Sequence, residues 1–148
     1  MGTRGGRVLV LPLALLAVAC GGSSGPSFSQ RADSICRREI TALRALPTPR
    51  TFAELRSAYD RRHAIIREEI ALLARLDPPN RLHASLRGLV EAIQNEVVAA
   101  EDLRVASLSG DIESAQGAVY RGKRAAAEAF RFSRHLGLRT CGRQTNLP

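Results

Sequence analysis

Asp60 and His63, three residues apart, are the pair in this chain best spaced to hold a cation or move a proton. On a helix that spacing puts both side chains on one face, within reach of a single metal ion. His83 and His135 are the only other imidazoles, and each falls in a different stretch of chain. The Glu-x-x-His pairs with which two helices of a ferritin-like bundle grip a di-metal centre do not occur. Neither does a His-Glu-x-x-His sequence; Gly-x-Ser-x-Gly spacing is met by Gly21-Gly22-Ser23-Ser24-Gly25, in a Gly/Ser-rich tether and not at a strand-to-helix elbow, and Gly117 and Gly122 stand inside a helical pattern rather than in a phosphate loop. With one histidine per helix and no inward carboxylate cluster expected, the reading is no metal, no cofactor and no catalytic residue. The histidines are expected to be solvated or partly packed.

The cysteines carry a different chemistry. Residues 1–7 hold Arg4 and Arg7 and no acid, and an apolar run over residues 8–19 leads through small residues to Cys20. Together these read as a secretory signal, too short to span a bilayer as a mature helix. Leu16-Ala17-Val18-Ala19-Cys20, followed by Gly21-Gly22-Ser23-Ser24-Gly25, resembles a bacterial lipobox. That resemblance implies that Cys20 becomes the lipidated first residue of a protein anchored on the outer face of the cytoplasmic membrane. Removing the first 19 of 148 residues leaves 129, the size of one domain. Cys36 and Cys141 then remain as an even pair in a disulfide-permissive compartment and are expected to bond to each other. Two free thiols or a metal pair are the alternatives, although neither cysteine has a CxxC partner.

The full chain has 22 basic and 14 acidic side chains, a balance of +8; without Arg4 and Arg7 it is +6. Such a surface is attracted to anionic lipid or wall polymers. Lys123 is the only lysine, and an arginine-weighted coding bias accounts for the composition equally simply. Nucleic acid is not an expected partner, because no aromatic residues interleave with the basic ones to form a stacking platform.

The elements that must position these residues are helical. Residues 20–29 are rich in Gly, Ser and Pro and read as a flexible tether reaching about 16 Å. Over residues 30–46, Ile35, Cys36, Ile40, Leu43 and Leu46 share a helical face, and Pro47-Thr48-Pro49 ends it. Thr51 and Glu54 form a capping box for a second helix. Along it Phe52, Leu55, Tyr59, Ile66, Ile70, Leu73 and Leu76 recur at threes and fours. After Asp77-Pro78-Pro79, Asn80 is placed to cap a third helix whose face runs Leu82, Leu86, Leu89, Ile93, Val97, Ala100, Leu103. Ser109-Gly110 breaks it, and Asp111 is placed to cap a fourth with Ile112, Ala115, Val119, Gly122, Ala126, Ala129 or Phe130, and Leu136 inward. Leu136-Gly137-Leu138 has the composition of a Schellman stop.

Three-and-four spacing with short connections predicts an all-α, up-down-up-down four-helix bundle over residues 30–142, with residues 143–148 as a disordered tail. An even number of alternating helices returns Cys141 to the end where Cys36 began. Joining them requires Cα atoms within about 4.4 to 6.8 Å, and closing a loop of about 100 residues stabilises by roughly 4 to 5 kcal/mol in the chain-entropy model. The tether places that end toward the bilayer, together with Arg31, Arg37, Arg38, Arg75, Arg81, Arg131, Arg134, Arg139 and Arg143. Arg37, Arg38, Arg134 and Arg139 are the expected contacts with anionic headgroups; complementing helix C-terminal dipoles is the other reading of such arginines. The clusters Asp60-Arg61-Arg62 and Arg67-Glu68-Glu69 read as i, i+4 pairs on a solvated face. The small residues Ala115, Ala118, Gly122, Ala125, Ala126 and Ala129 suit either close helix approach or an apolar groove.

Ala32-Asp33-Ser34-Ile35-Cys36, Leu76-Asp77-Pro78-Pro79, Ser109-Gly110-Asp111 and Leu136-Gly137-Leu138-Arg139-Thr140-Cys141-Gly142 together resemble a group of small exported helical proteins of high-GC Gram-positive bacteria, many of them lipoproteins. The resemblance implies export, a bundle and a disulfide, and carries no catalytic residue. The expected function is a non-enzymatic binding or adaptor module at the membrane, partnered by an envelope protein, a lipid or a wall component. The alternative is a carrier or sensor with a small ligand between the helices. A cavity lined by the small residues of the fourth helix favours the carrier; a filled core with an exposed apolar patch favours the adaptor.

Overall fold

The computed structural model describes residues 25–142, apart from the side chains of Phe52 and Leu55; the expected signal peptide, Cys20, Arg143 and the expected tail lie outside the described residues. Among the described residues the chain forms four α-helices and one 3-10 turn, and no strand: α1 Phe28–Arg44, α2 Phe52–Ala74, a turn at Asn80–Leu82, α3 His83–Ser109 and α4 Ile112–His135. None of these helices is long and apolar enough to cross a membrane.

Local chemistry sets most of the boundaries. Thr51 and Glu54 cap α2 reciprocally, as their spacing predicts. Gly110, at φ 71°, ends α3, and the Asp111 side chain accepts from the Ser114 amide to start α4. Leu136-Gly137-Leu138 makes the full Schellman pattern: Gly137 N–H donates to Arg134 O at 3.1 Å and Leu138 N–H to Ser133 O at 2.9 Å. Gly137 takes the left-handed position at φ 69°, where a Cβ would be strained. Two starts differ from expectation. α1 begins at Phe28 because Ser27 and Gln30 form their own capping box, a signal hidden in the polar run before it. Asn80 does not cap α3; it opens the 3-10 turn, and α3 starts at His83 without a side-chain cap.

The bundle runs up-down-up-down, with α1 on α2, α2 on α3 and α3 on α4. Its inner faces are narrower than the periodicity suggests. In α4 the buried positions are Ala118, Ala125, Ala126, Ala129 and Ser133, whereas Ile112, Val119 and Phe130 are exposed. Small side chains let α4 lie close along α3, which leaves the larger ones no room inside. In α3, Ala92, Ala99 and Ala106 join Leu86, Leu89 and Ile93, while Ala100 is exposed.

No α-carbon of α1 comes within 8 Å of one of α4 among the described residues. What ties them is the segment after α4. Asp33, buried in α1, accepts from the Arg139 amide at 2.9 and 3.1 Å and from the Thr140 amide at 2.8 Å. One turn on, Cys36 is bonded to Cys141, with Cα atoms 5.2 Å apart and a sequence separation of 105. Gly142 then runs so close to α4 that a Cβ there would sit 2.8 Å from Ala129 O. Around this clasp lies the main core: Phe28, Ala32, Ile35, Leu73, Leu86, Leu89, Leu136 and Leu138, with Ile70, Leu76 and Phe132 packed against it.

Removing the Asp33 carboxylate orphans two amides in a part-buried place, so Asp33→Ala is expected to lower unfolding stability by about 1 to 3 kcal/mol. The double variant Cys36→Ser with Cys141→Ser should lose about 2 to 5 kcal/mol. Urea denaturation reads both; a loss near zero for Asp33→Ala would mean that water replaces its carboxylate.

Candidate functional site

Beyond the clasp, where α1 and α4 diverge, the bundle is not filled. A cleft of about 520 Å³ opens there, lined by all four helices and closed at one end by Thr140, the Cys36–Cys141 disulfide and Gly142. Ile40 and Leu43 of α1, Ile66 of α2 and Val97 and Leu103 of α3 form apolar walls. Ala118, Gly122 and Ala126 supply the α4 side. Both readings of the small residues therefore hold, at different positions: Ala125 and Ala129 pack, whereas Ala118, Gly122 and Ala126 also line a space.

Three carboxylates enter this cleft, one from each of α1, α2 and α3: Glu39, Glu69 and Glu96. Their presence corrects the expectation of no inward carboxylate cluster. It also corrects the placement of Glu69 on a solvated face, because Glu69 is only 7% exposed. Among the described residues Glu69 has neither an ion-pair nor a hydrogen-bond partner, and the Asp60-Arg61-Arg62 and Arg67-Glu68-Glu69 clusters form no ion pair. Loss of hydration pushes the Glu69 carboxyl up to about 8, reinforced by Glu39 and Glu96. Burial likewise raises Glu39 to about 7, with Arg62 pulling the other way. Glu96 is raised to about 7 by burial and then by Glu39. The sequence did carry a signal for all three. Glu69 follows Ile66 by three and precedes Leu73 by four, Glu39 follows Cys36 by three, and Glu96 follows Ile93 by three. Each acid stands within an apolar stripe.

A polar network closes the rim between α2 and α3. Tyr59 donates its hydroxyl to Glu101 Oε2 at 2.7 Å and lies 3.3 Å from His63 Nε2, with the two rings stacked at 5.0 Å. Arg104 donates through Nε to Glu101 at 2.9 Å and covers the Tyr59 ring at 5.5 Å. Hydrogen bonds from Arg104 and Tyr59 hold Glu101 down at about 2, while burial and the Glu101 bond push Tyr59 up to about 12. Tyr59 thus keeps its proton, and the group serves as a strap across two helices.

His63 pairs with Tyr59 and not with Asp60, which is exposed. His83 is exposed, 3.7 Å from Asp77 Oδ1, and His135 is exposed. Among the described residues no three His, Cys, Asp or Glu side chains are placed to hold a metal ion. Arg37, Arg38, Arg134 and Arg139 are all exposed, with Arg134 6.0 Å above the Phe130 ring. Cys20, the expected lipidation site, is outside the described residues.

Folding raises the pKa of each cleft glutamate, so between about pH 4.5 and pH 8 the folded chain binds more protons than the unfolded one. Stability is therefore unpenalised below 4.5 and falls as pH climbs through 7 to 8. Thermal unfolding should show a lower midpoint at about pH 8.5 than at about pH 5, and Glu69→Gln should raise the midpoint at the alkaline end only. An equal shift at both pH values would place Glu69 in water. Set beside known proteins, the chain matches no family model, no curated protein and no solved structure.

Proposed function

We propose that this protein is a lipid-anchored binding protein of the bacterial envelope, on the outer face of the cytoplasmic membrane, that holds a small, largely apolar ligand between its helices. The observation that carries the reading is the cleft: about 520 Å³ within a bundle, in the range of small-molecule sites, with apolar walls and a few convergent polar groups. A bundle with no ligand to hold gains stability by filling such a space, and α4 instead presents Ala118, Gly122 and Ala126 to it. The anchor rests on Cys20 and the short tether after it. The tether and the clasp share one end of the bundle. There Arg37, Arg38, Arg134 and Arg139 face solvent and, in this reading, meet anionic headgroups at about 1 kcal/mol each.

An adaptor reading draws on the opposite end, where Leu108, Ile112 and Tyr120 near the α3–α4 turn are 59%, 72% and 72% exposed. The cleft is the better-built feature, because it gathers side chains from every helix.

Native mass spectrometry of the full chain, extracted gently from its own membrane, separates these readings. The expected result is an acylated chain carrying a non-covalent small molecule, which Gly122→Leu abolishes by filling the cleft. An acylated chain arriving bare or with another protein would favour the adaptor, and an unmodified chain cut elsewhere would remove the anchor. Sedimentation with vesicles tests the basic end. Binding should rise with anionic lipid content, and the Arg134→Glu, Arg139→Glu variant should lose at least about thirtyfold in affinity. No dependence on anionic lipid would leave these arginines as helix-end counter-charges.

A further inference from the structure

The chemical class of the ligand follows from how the cleft is charged, provided that the cleft is a ligand site at all. Glu69 is 7% exposed, lines the cleft, and has no hydrogen-bond or ion-pair partner among the described residues. Its oxygens open onto the cleft, since among the described residues only Ser133 Oγ is buried without a partner, and a carboxylate so little hydrated is costly unless a partner reaches it. Two more, Glu39 and Glu96, share the same space from neighbouring helices. The other charged or titratable groups facing it are Arg62, His63 and Tyr59 of α2 and Lys123 of α4. Arg62 acts on Glu39, His63 and Tyr59 are engaged with each other, and Lys123 is exposed on α4, so among the described residues no cation is paired with Glu69.

We propose that the occupant is an organic cation with an apolar body, a primary ammonium amphiphile, whose ammonium group seats at Glu69, with Glu39 and Glu96 lining the same cleft. An anion entering the cleft would meet three carboxylates. A bare metal ion finds no set of three ligands placed for it among the described residues and would leave the apolar walls unused. An alkylammonium uses both parts: its chain covers Ile40, Ile66 and Val97, and its N–H groups give Glu69 the partners it lacks. The carboxyl gives up its proton to bulk buffer as the ammonium arrives, because a pair of opposite charges replaces a protonated acid. Binding is then linked to pH: it releases protons, is strongest at or above neutrality and weakens as the cleft acids protonate, consistent with their raised pKa values.

Titration calorimetry on the full chain with octylamine, octanol and octanoate tests this, each in two buffers of different ionisation enthalpy. At about pH 7.5 octylamine should bind at least about tenfold more tightly than octanol, with net proton release, and octanoate should bind most weakly. Glu69→Gln, nearly isosteric with the protonated acid, should weaken octylamine about tenfold and leave octanol unchanged. Glu96→Gln is the second variant, expected to act in the same direction, and circular dichroism checks that each retains the fold. Equal binding of octylamine and octanol, or an octylamine affinity that Glu69→Gln leaves untouched, overturns the cation while leaving the cleft a ligand site. Tighter binding of octanoate overturns the sign of the charge. Saturable binding of none of the three overturns the cleft reading itself, and this inference with it.

Discussion

The clasp between α1 and the segment following α4 is the constraint on which the rest of the architecture depends. Neighbouring helices in a bundle ordinarily hold one another by interdigitating side chains along their length. Here α3 and α4 do so, but the backbones of α1 and α4 stay apart. Asp33 and the Cys36–Cys141 bond replace a packed helix–helix seam with a few strong contacts at one end. The Asp33 carboxylate fixes two successive amides of the chain leaving α4, and the disulfide fixes the next residue covalently. Gly142, lying flat on α4, completes the closure. Without the clasp, α2 would be the one helix whose backbone stays close to that of α1 among the described residues.

A seam tied at one end is free to open at the other, and that explains the uneven interior. The buried leucines and isoleucines gather around the disulfide, while the cleft occupies the region where no clasp draws α1 toward α4. The two halves divide the work of the chain. The filled half supplies stability, and the open half tolerates unfavourable groups such as Glu69, whose burial alone argues against a purely structural role. Sites that break a local folding rule are where function is to be sought, and three acids within apolar stripes break the plainest rule in this sequence.

That rule also marks what was legible in the sequence. The four helices, the Thr51–Glu54 box, the Asp111 cap, the Schellman stop at Gly137 and the cysteine pair each rest on a local signal, and each stands where its spacing predicts. Asn80 and Ser27 show the limit of such signals, because cap residues near proline or in polar runs have several competing backbone solutions. The cleft was not legible, for a different reason. Periodicity states which face of a helix turns inward, but not how far apart two inward faces come to rest. On that separation depends whether Ala118 and Gly122 pack against a neighbour or line a space, and whether Glu69 beside Glu68 is solvated or enclosed. Hydrophobicity alone assigns Ile112 inward, and Phe130 as the alternative to Ala129, yet both are exposed, whereas Val119 lines the cleft.

In the proposed orientation, anchoring and binding are coupled. Glu39 lies eleven residues into α1 and Glu96 thirteen into α3, about 16 and 20 Å along their axes from the tether end. Glu69 is five residues, about 8 Å, from the end of α2. Glu39 directly follows Arg38, one of the arginines assigned to the headgroups, and with the clasped end resting on the bilayer Glu69 stands about one Debye length, about 8 Å, from it. The leaflet's negative potential therefore reaches Glu39 and Glu69 and is weakest at Glu96. It favours the protonated form of these acids and draws cations toward the cleft, so that in this reading the lipid composition beneath the protein bears on both its attachment and the charge state of its site.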